Sequence, residues 1–200
     1  GSSVQDPSRG LAVRTCVLLR FPAMDRQAID ELFDYTGWAW ERIARLIDEQ
    51  LAGVYAKPMD GSGWPSIAAC LSHAVSAYDG WLNGEWGQIR SGEMSYPAEW
   101  PKPVEDWPAM KAYRERVRES FHRVLNVPDD VLYRKLTIDD GFGPEQMSRA
   151  DILANLLIHE RGHHGDLNTL FHLHGVKSYY IDYRFFRTLP DRFLMDLDDN

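Results

Sequence analysis

Apolar residues recur at intervals of three and four over four long stretches of this chain, separated by segments bearing proline or glycine. That period is helical, because residues three and four apart share one face of a helix. A chain patterned this way has little to offer a sheet and must bury four apolar helix faces against one another. The expected fold is therefore all-α, a four-helix bundle.

The first stretch covers residues 25–51, with Ile29, Leu32, Phe33, Thr36, Ala39, Trp40, Ile43, Leu46 and Ile47 in register, and Gly53 and Lys57-Pro58 close it. The linker Asp60-Gly61-Ser62-Gly63 leads to a second helix opening at Pro65, a good first-turn residue. It is expected to run to about residue 89, with Ile67, Cys70, Leu71, Ala74, Ala77, Tyr78 and Trp81 on its apolar face. Residues 91–108 are rich in Pro, Trp and Gly and read as an ordered loop packed by Trp100 and Trp107. A third helix over residues 107–125 is marked by Met110, Tyr113, Val117, Phe121 and Val124. Residues 131–138 favour a short strand or extended excursion before the turn Asp139-Asp140-Gly141-Phe142-Gly143-Pro144. Ser148-Arg149-Ala150-Asp151 has the spacing of a capping box. The fourth helix it opens runs to about His174, with Gly175 as its stop. The tail, residues 177–200, carries Tyr179, Tyr180, Ile181, Tyr183, Phe185 and Phe186 and is too aromatic to be left in solvent. Residues 1–23 stand apart: Gly1-Ser2-Ser3 resembles a tag remnant and residues 6–10 are turn-like. The bundle domain is thus expected over residues 24–200, with 1–23 as an extension.

Composition narrows the function. A net charge of −8 gives no general attraction to nucleic acid or to an anionic membrane surface. No apolar run is long enough to span a bilayer. Cys16 and Cys70 form neither a disulfide framework nor a C-x-x-C thiolate site, which fits a reducing cytoplasm. Any metal chemistry must then run on histidine and carboxylate.

Residues 159–163 spell His-Glu-Arg-Gly-His, a literal H-E-x-x-H. The pair His159 and His163 lies at i,i+4, so both imidazoles can hold one cation. On the apolar stripe Ile152, Leu156, His159, His163, Leu167, Leu170 they fall at core positions, where an unpartnered ring nitrogen costs free energy. A core histidine satisfied by ordinary hydrogen bonds is the simpler alternative. His73, on the second helix in the line Cys70, His73, Ala77, Trp81, supplies a third nitrogen from a neighbouring helix. Three protein ligands with a fourth position open is the arrangement of catalytic zinc, and imidazole also suits Ni, Fe and Cu. His164 projects roughly 100° from His163, His172 and His174 sit at the helix end where a cation suits the dipole, and His122 falls on a partly solvated face.

A zinc peptidase, with Glu160 activating water, is the less favoured reading. Asp166 and Thr169 stand where the longer H-E-x-x-H-x-x-G-x-x-H form needs Gly and His. Arg161 puts a charge inside the motif, and little sheet exists upstream to bind a peptide. The simpler alternative makes Glu160 and Arg161 solvent-facing helix residues.

Four segments together resemble the DinB/YfiT-like superfamily of small metal-binding four-helix bundles. Residues 32–40, Leu-Phe-Asp-Tyr-Thr-Gly-Trp-Ala-Trp, resemble its aromatic first helix. Residues 66–74, ending Ser-His73-Ala, resemble the helix that carries its first metal histidine. Residues 156–166, through His159-Glu-Arg-Gly-His163-His164-Gly165-Asp166, resemble its closing H-x-x-x-H-R-G-Q helix, with His164 in place of Arg and Asp166 in place of Gln. Ile181-Asp182-Tyr183 resembles its tail, so the likeness spans about residues 24–186. The resemblance implies His73, His159 and His163 as ligands to a divalent ion such as Zn or Ni, with water or substrate completing the shell. It implies no single reaction, since relatives include S-transferases that use low-molecular-weight thiols.

The expected function is a metal-dependent enzyme on a small molecule, a thiol S-transferase or a hydrolase, with a low-molecular-weight thiol as the candidate cosubstrate. A non-catalytic metal-binding stress or interaction protein is the alternative. The surplus of aromatic residues would also permit a homodimer.

Overall fold

Every long helix begins where the sequence supplies a side-chain cap. Asp25 accepts from the Ala28 amide to open α1, Arg26–Leu46. Ser66 accepts from Ala69 to open α2, Ile67–Leu82, and Asp106 accepts from Ala109 to open α3, Trp107–Leu125. Such caps satisfy amides that have no partner inside the helix. This computed structural model describes residues 24–83, 102–139, 144–177 and 181–188. One helical turn, α4 (Asp129–Leu132), follows α3. Strands β1 (Lys135–Asp139) and β2 (Pro144–Ser148) then pair antiparallel, Lys135 opposite Ser148. Ser148 ends the hairpin and also caps the 25-residue α5, Arg149–Leu173, through a complete capping box with Asp151. Gly175, at φ +76°, turns the chain out of α5 in the left-handed conformation that glycine tolerates. A short α6, Tyr183–Thr188, closes the described chain.

Helix α5 packs against α1, α2 and α3, so the bundle core surrounds its inner face. Phe33 of α1 stacks on Phe121 of α3 at 4.2 Å between ring centroids. Tyr78 of α2 lies 6.0 Å from the same Phe121 ring. Leu153, Leu156, Leu157, Leu167 and Phe171 of α5 are buried against these helices. Each such side chain contributes about 1.5–3 kcal/mol relative to exposure. The tail folds back on α1: Ile181 is buried, its carbonyl accepts from the Tyr35 hydroxyl, and Phe186 packs on Tyr35 and Trp38.

The expected all-α bundle is what forms, with four long helices, two short ones and a small hairpin among the described residues. Helix α1 continues past Leu46 as a π-helical turn to Leu51 and a 3₁₀ turn to Val54. Val131 and Leu132, assigned to an extended run from sequence, lie in α4, and the strand starts only at Lys135. Trp107 opens α3, where the third helix was expected to begin. It is wedged near Trp40 and Tyr55 while its indole N–H donates to Asp48. Helix α2 ends at Leu82 with Asn83 as its C-cap, short of the residue 89 expected, and expectations for residues 1–23, Trp100, the turn at 140–143, Tyr179 and Tyr180 fall outside the described residues.

The largest correction is one of helix register. The stripe of α5 that enters the core contains Glu160 and His164, 3% and 2% exposed, and not His159 and His163, which are half-buried at its edge. Arg161, for which a solvent-facing position was the simpler alternative, sits over the Tyr35 ring and reaches His164.

Candidate metal centre

His73 on α2 and His159 and His163 on α5 converge where those two helices meet. One ligand nitrogen from each lies within 4.8 Å of the other two. Ring centroids are 4.4 Å apart for His159–His163, 4.9 Å for His73–His163 and 5.2 Å for His73–His159. His159 and His163 approach Nε2 to Nε2 at 3.1 Å. Two nitrogens on one tetrahedral zinc, each about 2.0–2.1 Å from it, stand roughly 3.3 Å apart. The observed spacing is close to a first coordination shell. Without a cation, one of the two rings must place a proton between them. His159 Nδ1 is also buried with no hydrogen-bond partner among the described residues. A donor set of three imidazoles therefore fits a divalent ion on spacing and on donor chemistry.

Burial, then the neighbouring imidazoles, lowers the His159 pKa to about 4, and burial followed by His163 lowers that of His73. Neutral imidazole is the form that ligates a metal. The same shifts make stability depend on pH. Between roughly pH 6.5 and pH 4 the unfolded chain binds protons that folded His73 and His159 refuse, so metal-free protein should lose stability as pH falls. Urea unfolding of the metal-free chain at pH 7, 6, 5 and 4 should give a midpoint that declines steadily across that window. A flat or rising midpoint would contradict the neutral cluster.

Asp166, one turn after His163, places Oδ2 3.0 Å from His163 Nδ1. Trp64, from the segment between α1 and α2, donates its indole N–H to the same oxygen at 2.9 Å. Its ring lies 5.0 Å from His73 and 5.2 Å from His163. A cleft of about 420 Å³ opens beside His73, lined by Trp64, Pro65, Ala69, Ser72, Ser76 and Pro103. A larger cleft, about 630 Å³, lies at Tyr55, Asp106 and Trp107 and includes no histidine.

Behind the triad, on the core side of α5, lies a buried polar cluster that joins three helices. Glu160 accepts from Tyr78 of α2 at 2.6 Å and from Arg114 of α3 at 2.9 Å. Burial alone would raise its pKa, but the Arg114 guanidinium, with His164 and Tyr78, holds it below the ordinary carboxylate value. Burial, the largest influence on His164, lowers its pKa. Arg161 donates to His164 Nδ1 at 2.8 Å, so a neutral His164 carries its proton on Nε2, 3.7 Å from Glu160 Oε1. His172 and His174 lie at the end of α5 and His122 packs edge-on to Phe33, all apart from the triad.

Sequence reasoning passed over Arg114, Tyr78's role and Trp64, and named Asp166 only as a departure from two motifs. One signal was available for Arg114. It stands in the α3 stripe Met110, Arg114, Val117, Phe121, where a charge needs a buried partner.

No curated protein gives a significant match to this sequence. The sequence pattern of the DinB family matches residues 24–192, which include all three histidines, the capping box and the aromatic tail up to that point. Helices, triad and match coincide over most of the chain, which belongs to the DinB family.

Proposed function

We propose that His73, His159 and His163 bind one divalent metal ion, Zn or Ni, and that the protein uses it to transfer a low-molecular-weight thiol to a small electrophile. The observation that carries this reading is the convergence of three imidazoles, one of which, His73, lines a cleft together with Trp64 and Ser72. A divalent ion held only by neutral ligands keeps its full charge and would lower the pKa of a thiol placed beside it. The chain's own part is to hold the three nitrogens, to fix their protonation, and to seat the electrophile. Its cleft wall is largely apolar, and the hydroxyls in it are engaged: Ser72 Oγ accepts from the Val104 amide and Ser76 Oγ donates to the His73 carbonyl. Transfer forms one carbon–sulfur bond, expels the leaving group of the electrophile and gives the thiol proton to solvent.

The peptidase alternative meets a specific obstacle. Glu160 would have to activate water, yet both of its oxygens are held by Arg114, one of them also by Tyr78, inside the core. Hydrolysis by water at the same triad needs no such base and remains the competing reaction.

The test supplies metal-loaded and metal-free protein with a panel of low-molecular-weight thiols and an activated aryl halide, and follows thiol loss. Metal-dependent loss with at least one thiol is expected. Metal-loaded protein that consumes none of them would exclude transfer and favour a binding role without this catalysis.

A further inference from the structure

We propose that Asp166 and Trp64 act as a positioning pair that fixes the proton of His163 on Nδ1 and so presents its Nε2 lone pair to the triad. The polarity of the hydrogen bonds carries the argument. An ionised carboxylate only accepts, and an indole N–H only donates. Trp64 Nε1 therefore donates to Asp166 Oδ2, and His163 Nδ1, 3.0 Å from that oxygen, must donate as well. A neutral imidazole has one N–H, so Nε2 of His163 is left as a lone pair, and it is the nitrogen that faces His159 at 3.1 Å. In metal-free protein the proton between the two rings then belongs to His159.

Trp64 is needed because Asp166 alone would be a loose constraint. Its side chain is 46% exposed and has solvent as an alternative partner. The indole pins that carboxylate from a second direction and covers His163 edge-on and His73 at a tilt. The segment holding Trp64 is itself tied down. Ser62 Oγ accepts from the Trp64 amide at 3.1 Å, and the Met59 amide donates to the Pro65 carbonyl at 2.8 Å. Position and protonation at His163 are thus transmitted from the connection between α1 and α2. Cys70 lies beside the same two groups, but burial and then Asp166 push its thiol well above its ordinary pKa. It is a neutral neighbour and does not compete for the carboxylate as a charge.

Outer partners of this kind typically change metal affinity by about 10–100-fold. The pair is tested by two readouts independent of turnover. The first is the histidine tautomer in metal-free protein, from nitrogen chemical shifts and two-bond proton couplings. Wild type should show His163 as Nδ1–H, and Asp166→Leu should shift it towards Nε2–H. The second is Zn affinity by competition with a chromophoric chelator. Asp166→Leu should weaken binding by about 10–100-fold. Trp64→Phe, which keeps a ring but loses the donor, should weaken it by less, and Asp166→Asn, whose amide oxygen still accepts, should restore most of the tautomer preference. Wild-type His163 protonated on Nε2, or an Asp166→Leu variant with unchanged tautomer and affinity, would overturn the proposal. Failure of thiol transfer alone would leave both readouts, and so this inference, untouched.

Discussion

Replacing Glu160 with alanine should destabilise the metal-free protein by about 3–5 kcal/mol, because it leaves a buried guanidinium without its counter-charge. The side chains of Arg114 and Glu160 are 1% and 4% exposed, so water cannot replace the lost partner. Arg114 has Nε and one terminal nitrogen already without acceptors, which leaves Glu160 as its one hydrogen-bonded carboxylate among the described residues. Tyr78 would lose its acceptor in the same variant. The double variant Glu160→Leu with Arg114→Met removes both charges and should be clearly less destabilised than either single change summed with the other, since packed apolar groups replace a buried ion pair at little net cost. Urea unfolding of the two singles and the double checks this. A Glu160→Ala variant within about 1 kcal/mol of wild type, the range of exposed ion pairs, would show that the cluster is solvated in solution.

This cluster also shows where sequence reading stops. Four apolar stripes were legible because each long helix has its period, its cap and its stop in consecutive residues, as with Ser148, Asp151 and Gly175 around α5. The register of α5 was not. Ile152, Leu156, His159, His163, Leu167 and Leu170 form one credible stripe, while Leu153, Leu156, Glu160, His164 and Leu167 form another a few tens of degrees away. Hydrophobicity favours the first, because the second asks a helix to bury a carboxylate. Only Arg114 and Tyr78, arriving from α3 and α2, make the second stripe the inner one. Choosing the wrong stripe did not mislocate the histidines in sequence, and His73, His159 and His163 do converge, but at the edge of the core beside a cleft. That position suits a reacting site better than the centre of a bundle would.

The contact between Trp64 and Asp166 was illegible for a different reason. They are 102 positions apart, and their hydrogen bond forms only when the segment between α1 and α2 is brought against α5. Composition marked residues 60–63 only as a linker and said nothing of Trp64. The β1–β2 hairpin was half-read, since Lys135–Asp139 shows β-favouring residues whereas Pro144–Ser148 is polar and pairs through its backbone.

The other large effect concerns the triad. Adding Zn or Ni to metal-free protein should raise its unfolding free energy by mass action, by about 4 kcal/mol at a free-metal concentration a thousand times Kd. The folded chain brings the three nitrogens together and the unfolded one does not. His73→Ala should abolish this stabilisation, with a loss of affinity larger than the roughly 10–100-fold expected for an outer partner. It should leave the metal-free fold intact, because His73 is only half-buried and its neighbours on α2, Cys70, Ala74 and Ala77, carry that helix's packing.

Elemental analysis of the purified protein beside His73→Ala tests the central claim most directly, because His73 belongs to the triad and to neither form of the peptidase motif. The triad predicts one divalent ion per wild-type chain and almost none in the folded variant. A folded His73→Ala protein that keeps a full equivalent of metal would contradict it.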